Sequence, residues 1–330
     1  MSLTYYLETG STDPAYNLAF EEYVLKNRRS GDYLILWQNR NAVIVGRNQN
    51  ALEEINREFV EQHGIRVIRR NTGGGAVYHD MGNLNYSFIT DALEQEATTN
   101  SRFTIPIVRA LKKLGLDAES SGRNDILVSG QKVSGTAQYR MAGRILHHGT
   151  LLFDSDPNMI VGSLNPDPTK FQSKSVKSVR SRVGNIRSAL HDDMDLPSFW
   201  NYLKTELSEG DFLPSTLSQQ ELEQITVLKQ EKYDTWQWNF GTSPKFDTQI
   251  RRRWPGGLLE LHLTVTHGVI ESLQIFGDFL ALTPVETLTT ALIGCSYHET
   301  AISAALSSVS LTDCLGGITE KEFITTILNR

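Results

Sequence analysis

Apolar residues that alternate, or that recur every three to four positions, divide the first half of the chain into short strands and helices. Asp13-Pro14 opens a helix, with Asp as N-cap and Pro at the first helical position, and Leu18, Ala19 and Leu25 carry it to about Asn27. Residues 33–38 and 42–46 read as two strands joined by the polar turn Asn39-Arg40-Asn41. Residues 53–63 read as one helix stopped by Gly64. The apolar run Ile65, Val67, Ile68 is a strand that leads into Gly73-Gly74-Gly75, and a second strand covers residues 76–78. Beyond it, residues 83–90 alternate, 103–114 form a helix stopped by Gly115, 124–128 and 131–137 pair about Ser129-Gly130, and 144–153 form a further strand.

The second half is patterned differently. Asn165-Pro166-Asp167-Pro168 breaks regular structure, and residues 165–187 follow with Lys170, Lys174, Lys177, Arg180, Arg182 and Arg187 interleaved with serines. Such a stretch is either a solvated connection or a lid that closes on an anionic ligand. Residues 197–208 and 219–232 look helical, 236–244 look like a linker, and 258–266 with 269–276 form a hairpin across His267-Gly268. Three short helices, near 284–293, 298–307 and 320–329, complete the chain. Strands and helices interleave without a regular βαβ beat, and several strand pairs are joined tightly enough to be antiparallel. The expected class is α/β (α+β) with a mixed β-sheet, not a doubly wound parallel sheet. The expected domains are 1–240 and a small α+β unit at 246–330.

Composition narrows the function classes. The 330 residues carry a formal net charge of -6, which argues against general nucleic-acid binding, since that needs a basic footprint. The two cysteines, Cys295 and Cys314, make neither a disulfide framework nor a zinc site. No apolar run reaches the ~18 residues of a membrane span, and residues 1–10 have no signal-peptide pattern. The expectation is a cytoplasmic protein that binds neither nucleic acid nor membrane.

Three glycines in a row exceed what one turn needs. The backbone there is expected to lie against something with no side chain between, and Arg69-Arg70 beside it add donor forks suited to carboxylate or phosphate. The stretch is therefore either an anion site or a glycine-rich hairpin with a solvated arginine pair. It is not a Walker A loop, and Tyr78 stands where a dinucleotide fingerprint needs its third glycine. His147-His148 are adjacent in a strand and so face opposite ways. Lys132, in a strand beside Ser134, Gly135 and Thr136, can reach into a narrow site as a point charge. Asn124 and Asp125 could offer oxygen ligands to magnesium. Together these features suit an adenylating enzyme, which brings ATP and a carboxylate together and stabilises the growing phosphate charge.

The run Arg69-Arg70-x-x-Gly73-Gly74-Gly75-x-Val77-x-His79-Asp80-x-Gly82-Asn83 resembles the signature of the lipoate-protein ligase A family. So do Gly122-Arg123-Asn124-Asp125, Lys132-Val133-Ser134-Gly135-x-Ala137, His147-His148-Gly149-Thr150-Leu151-Leu152 and Ser178-Val179-Arg180-Ser181-Arg182-Val183. The resemblance is dense over residues 1–190. It implies a catalytic domain of the biotin/lipoate ligase, class II synthetase-like type, followed by a small accessory domain. It implies that lipoate and Mg-ATP form lipoyl-AMP. The lipoyl group then passes to a lysine on the lipoyl domain of a 2-oxoacid dehydrogenase E2 subunit, or on the glycine cleavage H protein.

Carried over by motif, Lys132 is the catalytic residue, touching both the lipoate carbonyl and the α-phosphate. Arg70 would bind ATP phosphate or the lipoate carboxylate, with Arg69 on the other face. Gly75, Ala76, Val77 and Tyr78 would lie along the ligand, and Asn83, Asn124 and Asp125 would be further contacts, Asp125 as the magnesium ligand. Ser178, Val179, Arg180 and Arg182 would belong to an adenylate-binding loop at about 165–183 that shields the intermediate from water. Gly74 is expected beside lipoate, and Trp37 with Val77 is the expected wall around the dithiolane tail, on packing grounds alone.

Three alternatives stay open: a lipoyltransferase fed with preformed lipoyl-AMP, an octanoyl or lipoyl transferase of the same superfamily, and a non-catalytic carrier. A cysteine acyl-enzyme is disfavoured because no cysteine precedes Cys295.

Overall fold

The computed structural model describes residues 4–92, 101–121, 124–165, 183–207, 212–240, 248–266 and 268–328. The basic stretch with Ser178, Val179, Arg180 and Arg182 lies outside them, as do Gly122 and Arg123. The strands, in chain order, are β1 (Thr4–Glu8), β2 (Asp32–Trp37), β3 (Ala42–Val45), β4 (Arg66–Arg69), β5 (Val77–His79), β6 (Asn83–Asp91) and β7 (Ala118–Ser121). They continue with β8 (Asp125–Val128), β9 (Gln131–Met141), β10 (Arg144–Leu152), β11 (Phe212–Pro214), β12 (Thr248–Trp254), β13 (Gly257–Thr266) and β14 (Val269–Gly277).

The frame is an eight-stranded mixed sheet in the order β11-β1-β2-β6-β10-β9-β8-β7, parallel across β11, β1 and β2 and antiparallel elsewhere. One face is covered by helices Ser101–Lys113 and Leu196–Leu207 through Leu36, Tyr86, Ile107, Leu111 and Phe199. The other is covered by helices Pro14–Asn27 and Gln219–Leu228 through Leu18, Val24, Ile35, Trp37 and Ile225. The first of these begins as expected: Pro14 follows Asp13, whose carboxylate accepts from the Ala15 N–H at 2.9 Å.

Five expectations change. Residues 33–38 and 42–46 do not form a hairpin. β2 lies in the large sheet, whereas β3 is the centre of a second sheet, β4-β3-β5. The turn between them is tied elsewhere: buried Asn39 bonds Asn17 and His79, and the Arg40 N–H donates to Thr12 O. The helix expected at 53–63 is two, Ala51–Glu54 and Arg57–Gln62. Ile55 is drawn out to pair with Leu164, and Asn56 restarts the helix by capping Phe59 N–H. In the C-terminal part a strand precedes the expected hairpin. β12 pairs with β13, which pairs with β14. Its sequence TQIRRRW buries one apolar side chain deeply, Ile250, so alternation did not reveal it. Among the described residues four helices rather than three follow: Glu286–Leu292, Glu299–Leu306, Leu311–Leu315 and Glu320–Ile327. Part of the expected linker, Trp236–Asn239, is helical.

The C-terminal unit has its own core, with Leu259, Leu261, Phe279, Leu288 and Phe323 at its centre, and it rests on the larger part through backbone. The Arg140 N–H on the outer edge of β9 donates to Leu282 O at 2.8 Å, the Gly74 N–H to Phe279 O at 3.0 Å, and the Gly277 N–H to Asn48 O. No helix of the described residues is long and apolar enough to cross a membrane.

Candidate active site

β4 ends at Arg69 and Arg70 follows it directly, and both guanidiniums are buried. The Arg69 guanidinium is spent on backbone carbonyls of Gly46, Arg47, Gln49, Trp238 and Asn239. Arg70 turns back over the glycines. Its Nε donates to Thr72 Oγ1 at 2.8 Å and its terminal nitrogens to Ile44 O, Gly73 O and Gly75 O at 3.0, 2.6 and 2.9 Å. Burial pushes both guanidiniums down to about 10; the charge of Arg47 adds to this at Arg69, and Glu21 partly offsets it at Arg70. Both remain cations at neutral pH. Arg70 reads as the clamp that shapes the glycine run, a role that motif logic alone did not assign it.

The three glycines do different things. A Cβ on Gly73 would stand 2.5 Å from Phe279 O and 2.7 Å from Ala281 N, so this glycine admits the C-terminal backbone. Gly74 adopts φ +88°, open to glycine at little cost. A Cβ on Gly75 would meet nothing within 4 Å.

That open space is a cavity of about 410 Å³, within the range of small-molecule sites. Of the expected site residues, Trp37, Arg70, Gly74, Gly75, Ala76, Val77, Asn124, Asp125 and Lys132 line it. Tyr78 and Asn83 do not. β5 turns the Tyr78 ring away into a cluster with Val43 and Val45, its hydroxyl donating to Asn41, and Asn83 is buried against Asn85. Leu18, Trp37, Ile44, Val77 and Ala137 make one part of the wall apolar. Lys132 and Asp125 stand at the exposed end, their side chains 39% and 34% accessible and paired at 2.7 Å. Gly135 leaves room for this lysine: a Cβ there would lie 3.3 Å from Lys132 Nζ. Val183, where the described chain resumes after the basic stretch, bridges Lys132 in parallel, and the Gly184 N–H donates to Lys132 O.

His79, His148, Asn85, Thr136, Thr150, Asp278 and Leu280 also line the cavity. The two histidines stood inside the quoted motifs without a role, whereas Asp278 and Leu280 come from the second unit and no local pattern marked them. His148 Nδ1 meets Glu21 Oε1 at 2.9 Å and its Nε2 meets Thr72 Oγ1 at 2.8 Å. Glu21 also accepts from Ser87, which accepts from Trp37 Nε1. A chain of bonds thus joins the apolar wall to the residue before the glycines. Its neighbour His147 faces the other way, stacked on Phe103 at 4.7 Å. Burial pushes His79 and His147 down to about 3, with Arg70 and His148 adding to the effect at His79 and His148 alone at His147, so both are neutral at pH 7.

Residues 13–208 match the family described as Lipoyl protein ligase A/B catalytic domain, and residues 243–327 match Bacterial lipoate protein ligase C-terminus. The chain is 43% identical over 317 residues to Lipoate-protein ligase LplJ of Bacillus subtilis (strain 168), covering 94% of this chain and 96% of that one. It is 42% identical over 315 residues to Lipoate–protein ligase 1 of Staphylococcus aureus (strain Mu50 / ATCC 700699), covering 95% and 96%. Among solved structures, P. falciparum LipL1 in complex with lipoate superposes with a TM-score of 0.78 at 26% identity over 99% of each chain. An archaeal bi-partite lipoate protein ligase studied with its E2 lipoyl domain, from Thermoplasma acidophilum, gives 0.65 at 30% identity over 75% of this chain and 99% of that one. A lipoate-protein ligase A bound with ATP gives 0.61 at 28% identity over 73% and 98%. The chain belongs to the lipoate-protein ligase family.

Proposed function

We propose that this protein is an ATP-dependent lipoate-protein ligase. The observation that carries the reading is the polarity of the cavity: an apolar wall at Leu18, Trp37, Ile44 and Val77, and a lysine–carboxylate pair at the exposed end. Such a cavity suits a molecule with an apolar tail and an anionic head. The lipoate carboxylate oxygen attacks the α-phosphorus of ATP, the bond to the β-phosphate oxygen breaks, and pyrophosphate leaves. An acceptor lysine amine then attacks the acyl carbon, loses a proton, and AMP leaves as the amide forms. Lys132 can follow both steps with a fixed positive charge, first against the carboxylate and α-phosphate, then against the departing AMP. Trp37 and Val77 would hold the dithiolane tail. Gly74 and Gly75, Ala76, Asn124 and Arg70 would set the backbone and polar surface along the adenylate.

Asp125 is the residue that would hold magnesium. A single carboxylate fits an ion that arrives on the triphosphate and keeps several waters, and among the described residues no group of three or more His, Cys, Asp or Glu could hold a metal. Bound there, the ion would neutralise phosphate charge. The acceptors in this reading are lipoyl domains of 2-oxoacid dehydrogenases and the glycine cleavage H protein, in the cytoplasm. The residue boundaries of the two domains, 1–240 and 246–330, belong to the same proposal.

The test is exchange of labelled pyrophosphate into ATP. It should require lipoate and vanish in Lys132→Ala. A wild-type protein that modifies an acceptor from preformed lipoyl-AMP but shows no exchange is a lipoyltransferase, and the two-step reading is then wrong.

A further inference from the structure

A run of three glycines has no side chains with which to hold its own place, so its position must come from its flanks. Arg70 and the Glu21–His148–Thr72 chain fix part of it. Asn71 lies between them, buried, and has a separate support. Its Nδ2 donates to Glu22 Oε2 at 2.9 Å and to Tyr233 Oη at 2.6 Å, and its Oδ1 accepts from Lys232 Nζ at 2.8 Å. Tyr233 and Lys232 also reach Glu22 Oε2 themselves, at 2.6 and 2.7 Å.

Adjacent helical side chains ordinarily diverge by about 100°, yet Lys232 and Tyr233 converge on one carboxylate. They do so from a π turn, Lys229–Tyr233, an irregularity frequent at functional positions. Lys232 Nζ also sits 4.0 Å from the Trp238 ring centroid, and the Trp238 indole N–H donates to Arg69 O. Burial works to raise the Glu22 carboxyl, but the Lys232 charge and the donors from Asn71, Lys232 and Lys26 reverse this and hold it down to about 2. A buried ion pair adds little net stability; fixing one geometry is its best-attested use.

We propose that Glu22, Lys232 and Tyr233 are positioning residues for the glycine run, acting through Asn71. The inference rests on the reading of the cavity as the adenylating site. None of the three lines the cavity.

The test compares Lys232→Met, Tyr233→Phe and Lys232→Arg with Ile107→Val, a packing control on the opposite face of the sheet. Two readouts are taken: lipoate-dependent pyrophosphate exchange against ATP concentration, and amide hydrogen exchange of residues 66–82. Lys232→Met and Tyr233→Phe should raise the KM for ATP about tenfold with kcat nearly kept. Amides around residues 71–75 should exchange about tenfold faster, and Lys232→Arg should recover most of both. If melting temperatures fall while KM and protection stay at the wild-type values, or if Ile107→Val moves them equally, Glu22, Lys232 and Tyr233 only stabilise the fold and the proposal is overturned. A wild-type protein without exchange activity refutes the ligase reading instead, and hydrogen exchange still decides the positioning.

Discussion

Replacing each glycine of the run by alanine should give different results, because each position meets different surroundings. At Gly73 the new methyl would lie 2.5 Å from Phe279 O and 2.7 Å from Ala281 N, both backbone atoms, so no rotamer change relieves it. The C-terminal segment must withdraw by several tenths of an ångström, an overpacking that costs about 1–3 kcal/mol. The adjacent bond from the Gly74 N–H to Phe279 O weakens with it, adding about 1 kcal/mol. The total is about 2–4 kcal/mol. Unfolding entropy of ~2.1 cal/mol/K per residue gives ~0.7 kcal/mol/K for a chain of this length, so Tm should fall by about 3–6 °C. Gly75→Ala meets nothing within 4 Å and has no left-handed φ, so its stability should stay within about 0.5 kcal/mol of wild type. Its methyl instead enters the cavity and should raise the KM for lipoate or ATP. Thermal melts and pyrophosphate exchange on the two variants decide the matter. Equal melting temperatures within about 1 °C would refute the assignment of Gly73 to the contact with the C-terminal unit.

Arg70→Lys should be severe despite the kept charge. A lysine cannot reproduce the spread of bonds to Thr72, Ile44, Gly73 and Gly75, and a loss of about 2–4 kcal/mol should appear in denaturant titration. Stability should fall as pH drops below about 6.5, because unfolded histidines take up protons that His79 and His147, held near 3, refuse. The slope is about 1.4 kcal/mol per pH unit for each of the two. The carboxylate of Glu22, depressed to about 2 from 4.5, adds its own loss only below about pH 4.5. Denaturant midpoints at pH 7 and 5 should therefore differ, and His147→Asn should remove about half of the difference. Asp125→Asn removes the partner that Lys132 holds at 2.7 Å and should cut lipoate-dependent exchange at least tenfold at limiting magnesium; undiminished exchange would remove Asp125 from the metal site.

Much of the large domain was legible because its elements carry their own signals. Asp13-Pro14 starts a helix where it should, Gly115 follows one, and Asn83–Asp91 and Arg144–Leu152 are strands where sequence places them, although both faces of the sheet are covered and their residues are nearly all buried. Part of what escaped depended on partners distant in sequence. Ile55 leaves its helix because Leu164, far along the chain, pairs with it; β12 escaped for a different reason, since its partner β13 follows directly but TQIRRRW carries no apolar alternation of its own. The cavity divides in the same way. Lys132, Asp125 and the glycines stood in local motifs, whereas Asp278 and Leu280 reach the wall from the other end of the chain.

Arg70 shows why residue type alone misjudges such a site. An arginine beside three glycines suggests a donor fork waiting for an anion. Buried, it cannot wait: an unsatisfied guanidinium in the interior is costly, so its donors are taken by Gly73 O, Gly75 O, Ile44 O and Thr72. Those bonds draw carbonyl oxygens toward the cation and hold the glycine backbone in one shape. Its charge still acts on whatever lies along that backbone. Lys132, partly exposed and paired with only a half-buried carboxylate, can exchange its partner for an incoming anion at far lower cost. In the proposed reading, the two cations that the described residues bring to the cavity thus divide the work by burial: the deep one shapes the backbone, and the shallow one would meet the substrate.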